Sequence, residues 1–367
     1  MLTRPAAAPP MGLIAELTHR CPLQCAYCSN PLELERANSE MSTADWINVL
    51  DQAAALGVLQ VHFTGGEPMA RADLVELVRH ASGKGLYTNI ITSGVQLTDE
   101  AIATLLDAGI DHIQLSFQDV EVASADRIGG YRGGHAKKLE AARRIREAGL
   151  PLTANFVVHK QNVDRVDAMI ALGEELGAER IEIAHVQYYG WGLLNRNALL
   201  PSLDQLESCT RSVQAARERL KGRIIIDYVV PDYYAKRPKA CMGGWANRFM
   251  NISPSGKALP CHAAETLPGF VFPSVREQSL ADIWQHSDAF TRFRGTDWMP
   301  DPCKSCDRRE IDWGGCRCQA LAIAGDAAAV DPACALAPDH HLMDEAVLEA
   351  AGAIDQIEFK PRRMGGR

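Results

Sequence analysis

The sequence has 367 residues, 47% of them hydrophobic and 23% charged, with a formal net charge of -8; a body of about 300 residues buries roughly 75% of its unfolded surface, so no disulfide staple is needed for a core. The negative balance argues against nucleic acid or an anionic membrane surface as the main partner, and no apolar run approaches the ~18 residues of a membrane span. The opening MLTRPAAAPP lacks the continuous apolar stretch of a signal peptide, so the expected location is the cytoplasm.

From the opening strand Leu13–Thr18 onward a phrase repeats: an amphipathic segment ends at a glycine, and an apolar, β-branched run follows. The runs begin after Gly57, Gly85, Gly109, Gly149 and Gly177. The segments before them carry apolar residues at helical spacing, such as Leu74, Val75, Leu77 and Val78, or Leu139, Ala142 and Ile145. Ser42, three residues before Asp45, and Thr98, ahead of Asp99 and Glu100, mark helix starts. Glycine just past a helix supplies a left-handed cap. Six strands alternating with helices predict parallel pairing with right-handed crossovers. A full eight-unit barrel takes about 250 residues, so six units ending near residue 220 predict an α/β fold, an open partial (βα)6 barrel. Ligands of such sheets sit beyond the carboxyl ends of the strands. That rule puts the loops after Thr18, Phe63, Ile91, Phe117, Val158 and Val186 at one mouth.

After a helix at about 203–219, RIIIDYVVP reads as a further strand, and then the periodicity fades. Residues 240–340 are rich in Gly, Pro, Trp and Cys, a stretch that metal must organise if anything does. The tail from Asp339 has a short helical stretch (Leu342, Val347, Leu348), then Lys360, Arg362, Arg363 and Arg367. Such dispersed charges are expected to form a solvated terminus. The expected division is a flexible start at 1–11, a barrel at 12–222, a cysteine-rich domain at 223–340 and a tail at 341–367.

The chain has 11 cysteines, three within residues 21–28 and seven within 241–334, with Cys209 alone. In a reducing compartment these are not expected to be disulfides; clustered thiols read as metal ligands, and Cys209, on a predicted helix, as a packed small side chain. Directly after the first strand, CPLQCAYC sets Cys21, Cys25 and Cys28 at i, i+4 and i+7. Three ligands on one loop can hold three corners of a cubane and leave the fourth iron without a protein ligand. The alternative is structural zinc, which takes four ligands in paired spacing. His19 is the nearest candidate for a fourth, although a structural role suits its place at the strand end better. At the end of the second strand, about 37 residues beyond Cys28, stands Gly65-Gly66-Glu67-Pro68. Two glycines allow close backbone approach, and Glu67 offers a carboxylate to an ammonium.

CxxxCxxC after the first strand, with Tyr27 before the third cysteine and GGEP after the second strand, resembles the radical S-adenosylmethionine (SAM) superfamily. The resemblance implies a 4Fe-4S cluster on Cys21, Cys25 and Cys28, and SAM held near Tyr27, Gly65, Gly66, Glu67 and Pro68. Weaker matches put Thr92, Ser93, Ser116, Gln118 and Asn155 near SAM; each is otherwise an ordinary polar strand-end residue. The later cysteines resemble the SPASM domain: Cys241, then Gly256-x4-Cys261, the CxxC of Cys303 and Cys306, and finally Cys316, Cys318 and Cys334. Where that pattern has a third cysteine, this chain has Asp312. The implied partition is one auxiliary iron–sulfur cluster on Cys241, Cys261, Cys316 and Cys318, and another on Cys303, Cys306, Asp312 and Cys334. Alternatively, Asp312 is a surface carboxylate beside an open or water-ligated iron, and paired CxxC motifs also suit zinc ribbons.

SPASM domains accompany enzymes that modify peptides. Over nearly its whole length the chain resembles the PqqE family of pyrroloquinoline quinone (PQQ) biosynthesis, through PPMGLIAELTHRCPLQCAYCSNPLEL, VHFTGGEP, VQYYGWGLLNRNALLP and the two cysteine-rich blocks. That implies a radical SAM oxidoreductase forming a carbon–carbon bond between a Glu and a Tyr side chain of the peptide PqqA. It also implies delivery of the peptide by the chaperone PqqD and an electron donor such as flavodoxin. Another SPASM enzyme, making thioethers or maturing sulfatases, is the nearest rival, and a zinc-binding scaffold a distant one. Tyr188, Tyr189 and Trp191 read either as lining for a peptide channel or as a hydrophobic plug.

Overall fold

A computed structural model describes residues 7–353 and 358–363. Residues 1–6 of the expected flexible start, and Arg367 of the basic tail, lie outside the described residues. The six anticipated strands form: β1 (Gly12–Thr18), β2 (Gln60–Gly65), β3 (Tyr87–Thr92), β4 (His112–Phe117), β5 (Leu152–Val158) and β6 (Arg180–His185). Between them run α1 (Thr43–Leu56), α2 (Leu74–Gly83), α3 (Asp99–Asp107), α4 (Val122–Gly129), α5 (Gly134–Glu147) and α6 (Val166–Glu175). Local chemistry explains their ends. Ser42 and Asp45 close a reciprocal capping box on α1, and Gly57 ends it with a φ of 93°. Trp46, Val49, Leu50 and Ala53 of α1 are buried one helical turn apart.

The strands pair in parallel, in the order β6-β5-β4-β3-β2-β1, and two additions extend this sheet. The strand expected at 223–231 forms as β7 (Ile225–Val229) and joins β6 in parallel, one strand beyond the six units. It follows the helix Leu203–Arg219, so it completes one more strand–helix–strand crossover. On the other side, β8 (Phe249–Ile252) pairs in parallel with β1, and β9 (Ala258–Leu259) pairs antiparallel with β8. Both come from the irregular cysteine-rich stretch, where no periodicity marks a partner. Among the described residues the nine-stranded sheet has β7 and β9 as its edges, so it stays open.

Alternate strand positions divide the faces. Leu13, Ala15 and Leu17, Val61 and Phe63, and Ile113, Leu115 and Phe117 share one core with the helices. The intervening positions carry a polar ladder. His62 and His112 both bond the Asn89 side chain, His112 also bonds Thr153, and Gln114 and Asn155 both donate to Glu182. Among the described residues, no helix is long and apolar enough to cross a membrane.

Beyond β7 the backbone is strained. Met242, Ala246 and Trp313 adopt φ of 49°, 48° and 54°, in the left-handed region that non-glycine residues rarely occupy. The Arg317 guanidinium is fully buried, donates to the carbonyls of Gly314, Ala327 and Ala329, and lies 4.6 Å from the Trp298 ring.

Phe117 is fully buried and stacks on Phe156 with 5.3 Å between ring centroids. Phe117→Ala is expected to lower the unfolding free energy by about 3–5 kcal/mol, measurable by denaturant titration of the cofactor-free chain.

Candidate cofactor centre

The chain leaves β1 at the buried Thr18, whose hydroxyl donates to Glu40 and accepts the Arg20 N–H at 3.0 Å. This turn delivers the loop that carries Cys21, Cys25 and Cys28. Leu23 and Ala26, between the cysteines, are buried and anchor it, and the Gln24 N–H donates to the Gly129 carbonyl at 2.8 Å. The glycines after β2 have a definite task here. The Gly66 N–H donates to the Thr18 carbonyl at 2.5 Å, and the Glu67 N–H to the Arg20 carbonyl at 2.8 Å. A Cβ on Gly66 would stand 2.4 Å from the Arg20 oxygen, and one on Gly65 2.3 Å from the Thr18 oxygen. What these glycines approach is the backbone of the cysteine loop itself.

Burial, reinforced by the charge of Cys25, pushes the Cys21 thiol up to about 12. Burial and the neighbouring Cys28 push Cys25 up to about 11, and burial raises Cys28 as well. Three thiols on one loop therefore resist ionisation unless a cation joins them, which is what a metal provides.

Glu67 is 0% exposed, and its carboxylate is satisfied by the protein. Thr92 Oγ1 (2.6 Å) and Met69 N (3.2 Å) donate to Oε1; Ser93 donates to Oε2 through its N–H (2.8 Å) and its hydroxyl. These donors fill the roughly four acceptor directions of a carboxylate. In this state Glu67 ties β2 to β3, and Thr92 and Ser93 spend their polar groups on it.

Of the other expected contacts, Gln118 Nε2 lies 3.9 Å from Cys25 Sγ. Ser116 contributes its carbonyl to Lys138, and the Asn155 amide donates to Glu182. The Tyr27 hydroxyl lies against Gln118 and Cys25. Pro68 is buried in the short turn after Glu67. His19 accepts the Glu35 N–H on Nδ1 at 2.8 Å, a structural role rather than that of a ligand.

Two residues escaped the sequence reading. Lys138, on α5, is 1% exposed and donates to the Ser116 carbonyl at 2.6 Å. Burial pulls its ammonium down to about 8, opposed by the negative Cys25, Glu67 and Cys21. An ammonium has three donors, and only Ser116 among the described residues accepts one. No sequence signal singled it out from the other basic residues of α5. The second is Arg362, expected in a solvated tail. It is instead 2% exposed and donates to the His19 carbonyl, while Lys360 and Arg363 are exposed. Three half-buried thiols on one loop, with a buried ammonium that has unused donors beside them, fit a metal cluster with an anionic small molecule beside it.

The cysteine-rich segment brings eight further side chains into two groups. Cys241, Cys261, Cys316 and Cys318 form a hydrogen-bonded ring of thiols. Bonds from Cys241 and Cys318 draw Cys261 and Cys316 well below the ordinary thiol range, and the same bonds hold Cys241 and Cys318 well above it. Cys303, Cys306, Asp312 and Cys334 line a second, small cavity. Asp312 accepts the Gly314 N–H at 3.2 Å and lies 3.4 Å from Arg308 Nε. Asp331 joins the two groups. It accepts from Cys316 N (2.6 Å), Gln319 Nε2 (2.8 Å) and Ala333 N (2.9 Å), and burial pushes its carboxyl up to about 6. Cys209 stands apart, buried 3.6 Å from His185 Nε2.

The aromatic loop divides between its two readings. Tyr188 packs edge-on against Tyr233 at 4.9 Å within an apolar cluster. Tyr189 instead bonds His262 and lines a cavity of about 1020 Å³ with Leu193, Asn195, Cys318 and Lys360. Trp191 caps the loop after Cys28, its Nε1 donating to the Pro31 carbonyl at 3.3 Å.

Gly66→Ala tests the close approach of the two loops. It is expected to destabilise the fold by about 1–3 kcal/mol and to lower the iron retained after anaerobic reconstitution, read by thermal unfolding and metal analysis.

Comparison with known proteins follows this geometry. Residues 15–173 match the Radical SAM superfamily, and residues 241–307 an iron–sulfur cluster-binding domain, SPASM. A PqqA peptide cyclase of Granulibacter bethesdensis is 68% identical over 97% of this chain and 95% of its own length. Those of Gluconobacter oxydans and Rhodopseudomonas palustris are 62% and 61% identical, over 93% and 96% of this chain and 94% of each relative. In fold the chain is similar to Streptococcus suis SuiB bound to S-adenosylmethionine, with a TM-score of 0.72 and 21% identity over 86% of this chain and 74% of that one. It is also similar to native anSMEcpe with bound AdoMet, with a TM-score of 0.65 and 14% identity over 94% and 96% of the two chains. With its cysteine loop at the mouth of an open parallel sheet and its thiol-rich second half, the chain belongs to the PqqA peptide cyclase family of radical SAM enzymes.

Proposed function

We propose that this enzyme crosslinks a Glu and a Tyr side chain of the peptide PqqA through a carbon–carbon bond, in PQQ biosynthesis in the cytoplasm. The observation that supports the reading is the thiol loop at the mouth of the sheet, with two further groups of candidate cluster ligands, in a chain alike over 97% of its length to a relative named for that activity. Cys21, Cys25 and Cys28 would hold a 4Fe-4S cluster with one iron left to SAM. Cys241, Cys261, Cys316 and Cys318 would hold one auxiliary cluster, and Cys303, Cys306, Asp312 and Cys334 the other. A non-thiolate ligand such as Asp312 shifts a cluster's potential, as histidine does in Rieske centres. The working division is a barrel at 12–222, an auxiliary domain at 223–340 and a tail at 341–367.

Held by Cys21, Cys25 and Cys28, a cluster would supply the one-electron chemistry that cleaves SAM and starts hydrogen abstraction from the substrate Glu. The protein's own part is to bind, orient and exclude water. Lys138 offers its unused donors to the SAM carboxylate. Tyr27, Gln118, Ser93, Ser116 and Asn155, the last within β5 and donating to Glu182, are the further side chains proposed to face it, and Gly65, Gly66, Glu67 and Pro68 would hold the facing turn. With the Glu67 carboxylate already satisfied, its contribution is to fix that turn, and the SAM amino group must compete for it with Ser93. The cavity of about 1020 Å³ that reaches Tyr189 and Cys318 is of a size to admit a peptide segment beside an auxiliary cluster. Delivery by PqqD and reduction by a flavodoxin-type donor complete the proposed cycle.

The test is anaerobic reconstitution followed by incubation with PqqA, PqqD, SAM and a reductant. A product lighter by two hydrogens, with a Glu–Tyr crosslink in its fragment spectrum, is expected; a thioether or unchanged peptide would overturn the reading. Cys25→Ala is expected to abolish 5′-deoxyadenosine formation. Lys138→Ala is expected to weaken SAM binding about 10- to 100-fold, the loss of one charge-assisted hydrogen bond, in a titration of the reconstituted enzyme. Asp312→Ala is expected to change one auxiliary electron paramagnetic resonance (EPR) signal and leave the other.

A further inference from the structure

The segment 358–363 lies across the cysteine loop. Asn195 grips it on both edges: Oδ1 accepts the Lys360 N–H at 2.7 Å, and Nδ2 donates to the Lys360 carbonyl at 2.9 Å. The same Nδ2 donates to the Ala26 carbonyl at 2.9 Å, between Cys25 and Cys28. Phe359 stands edge-on to His159 at 6.3 Å, with the Arg127 guanidinium 5.4 Å from its ring. Two residues further on, the Arg362 N–H donates to the Gln24 carbonyl at 3.3 Å, between Cys21 and Cys25, and its guanidinium donates to the His19 carbonyl. The strap thus meets the loop beside all three cysteines.

Arginine is almost never fully buried unless paired, yet Arg362 is 2% exposed, and beyond the His19 carbonyl its guanidinium meets the Cys28 thiol. Among the described residues it makes no ion pair with a carboxylate. The groups its charge acts on are the three cysteines of the loop, Cys21, Cys25 and Cys28.

We propose that Arg362 is a built part of the SAM-cluster site, a positioning residue that clamps the cysteine loop and balances the charge of the cluster. This rests on the reading that Cys21, Cys25 and Cys28 hold iron. Three thiolates give the cluster a net negative charge, and reduction adds one more. A buried cation beside them favours the reduced state and raises the potential, bringing it within reach of a biological donor. The strap also makes the far end of the chain a condition for a competent first loop.

The test compares full-length wild type, Arg362→Gln and Arg362→Lys. In the cofactor-free chain, hydrogen exchange of the 19–28 amides is expected to speed up in Arg362→Gln and less in Arg362→Lys. In the reconstituted enzyme, an EPR-monitored titration is expected to show about tenfold less reduced SAM cluster in Arg362→Gln at fixed ambient potential. That is a shift of about 59 mV for one electron, with Arg362→Lys close to wild type. Unchanged exchange and potential in Arg362→Gln would overturn the proposal. If Arg362→Gln loses only the SAM-cluster iron and keeps its unfolding temperature and auxiliary signals, the clamp stands; iron loss in step with global destabilisation overturns it. A Cys25→Ala variant with the wild-type iron count would instead bring down the cluster reading, leaving the exchange comparison to decide the clamp by itself.

Discussion

Three thiols within eight residues can share one site only if the loop that carries them is held to one path. Here the hold is a backbone-to-backbone contact. The turn after β2 presses its glycines onto the carbonyls of Thr18, His19 and Arg20, at separations that leave no room for a Cβ. Everything at the mouth of the sheet depends on that approach. It sets the loop's path, puts Glu67 under the Thr92–Ser93 strand end, and leaves the buried Lys138 and Arg362 as the cations near the thiols.

The second half of the chain solves a similar problem by different means. It has little regular structure, and its order comes from side chains that bridge loops. Arg317 ties the Gly314 turn to the Ala327–Ala329 loop, and Asp331 fastens the Cys316 backbone to the chain that leads to Cys334. The left-handed residues Met242 and Trp313 stand next to Cys241 and Asp312. Backbone strain of order 1–3 kcal/mol per residue persists only where surroundings over-determine it. Metal bonds to the neighbouring side chains are the kind of constraint that would do so.

Charge fits the same picture. Burial alone makes the thiols poor acids, and in the ring of Cys241, Cys261, Cys316 and Cys318 mutual hydrogen bonds draw Cys261 and Cys316 back down. A cluster held by these four side chains would take the place of those hydrogen bonds. The cavity of about 1020 Å³ is lined both by Cys318 of this ring and by Lys360 of the strap over the first cysteine loop.

The sequence by itself determined the six strands, the helix caps and the placing of Cys21–Cys28 at a strand end, because these follow from local periodicity and turn chemistry. Glycine after each helix and capping residues before it act within a few residues of themselves. Tertiary structure alone decided what long-range contacts decide. It added β7 to the barrel sheet and set β8 beside β1, although no pattern within Phe249–Ile252 names its partner. It turned Glu67 toward Thr92 and Ser93, split Tyr188 from Tyr189, and chose Lys138 from a run of similar cations. Most of all, it brought Arg362 back across 343 residues to His19. A lone arginine in a polar tail reads as solvated, since burial of a charge depends on which opposite charges the fold gathers around it.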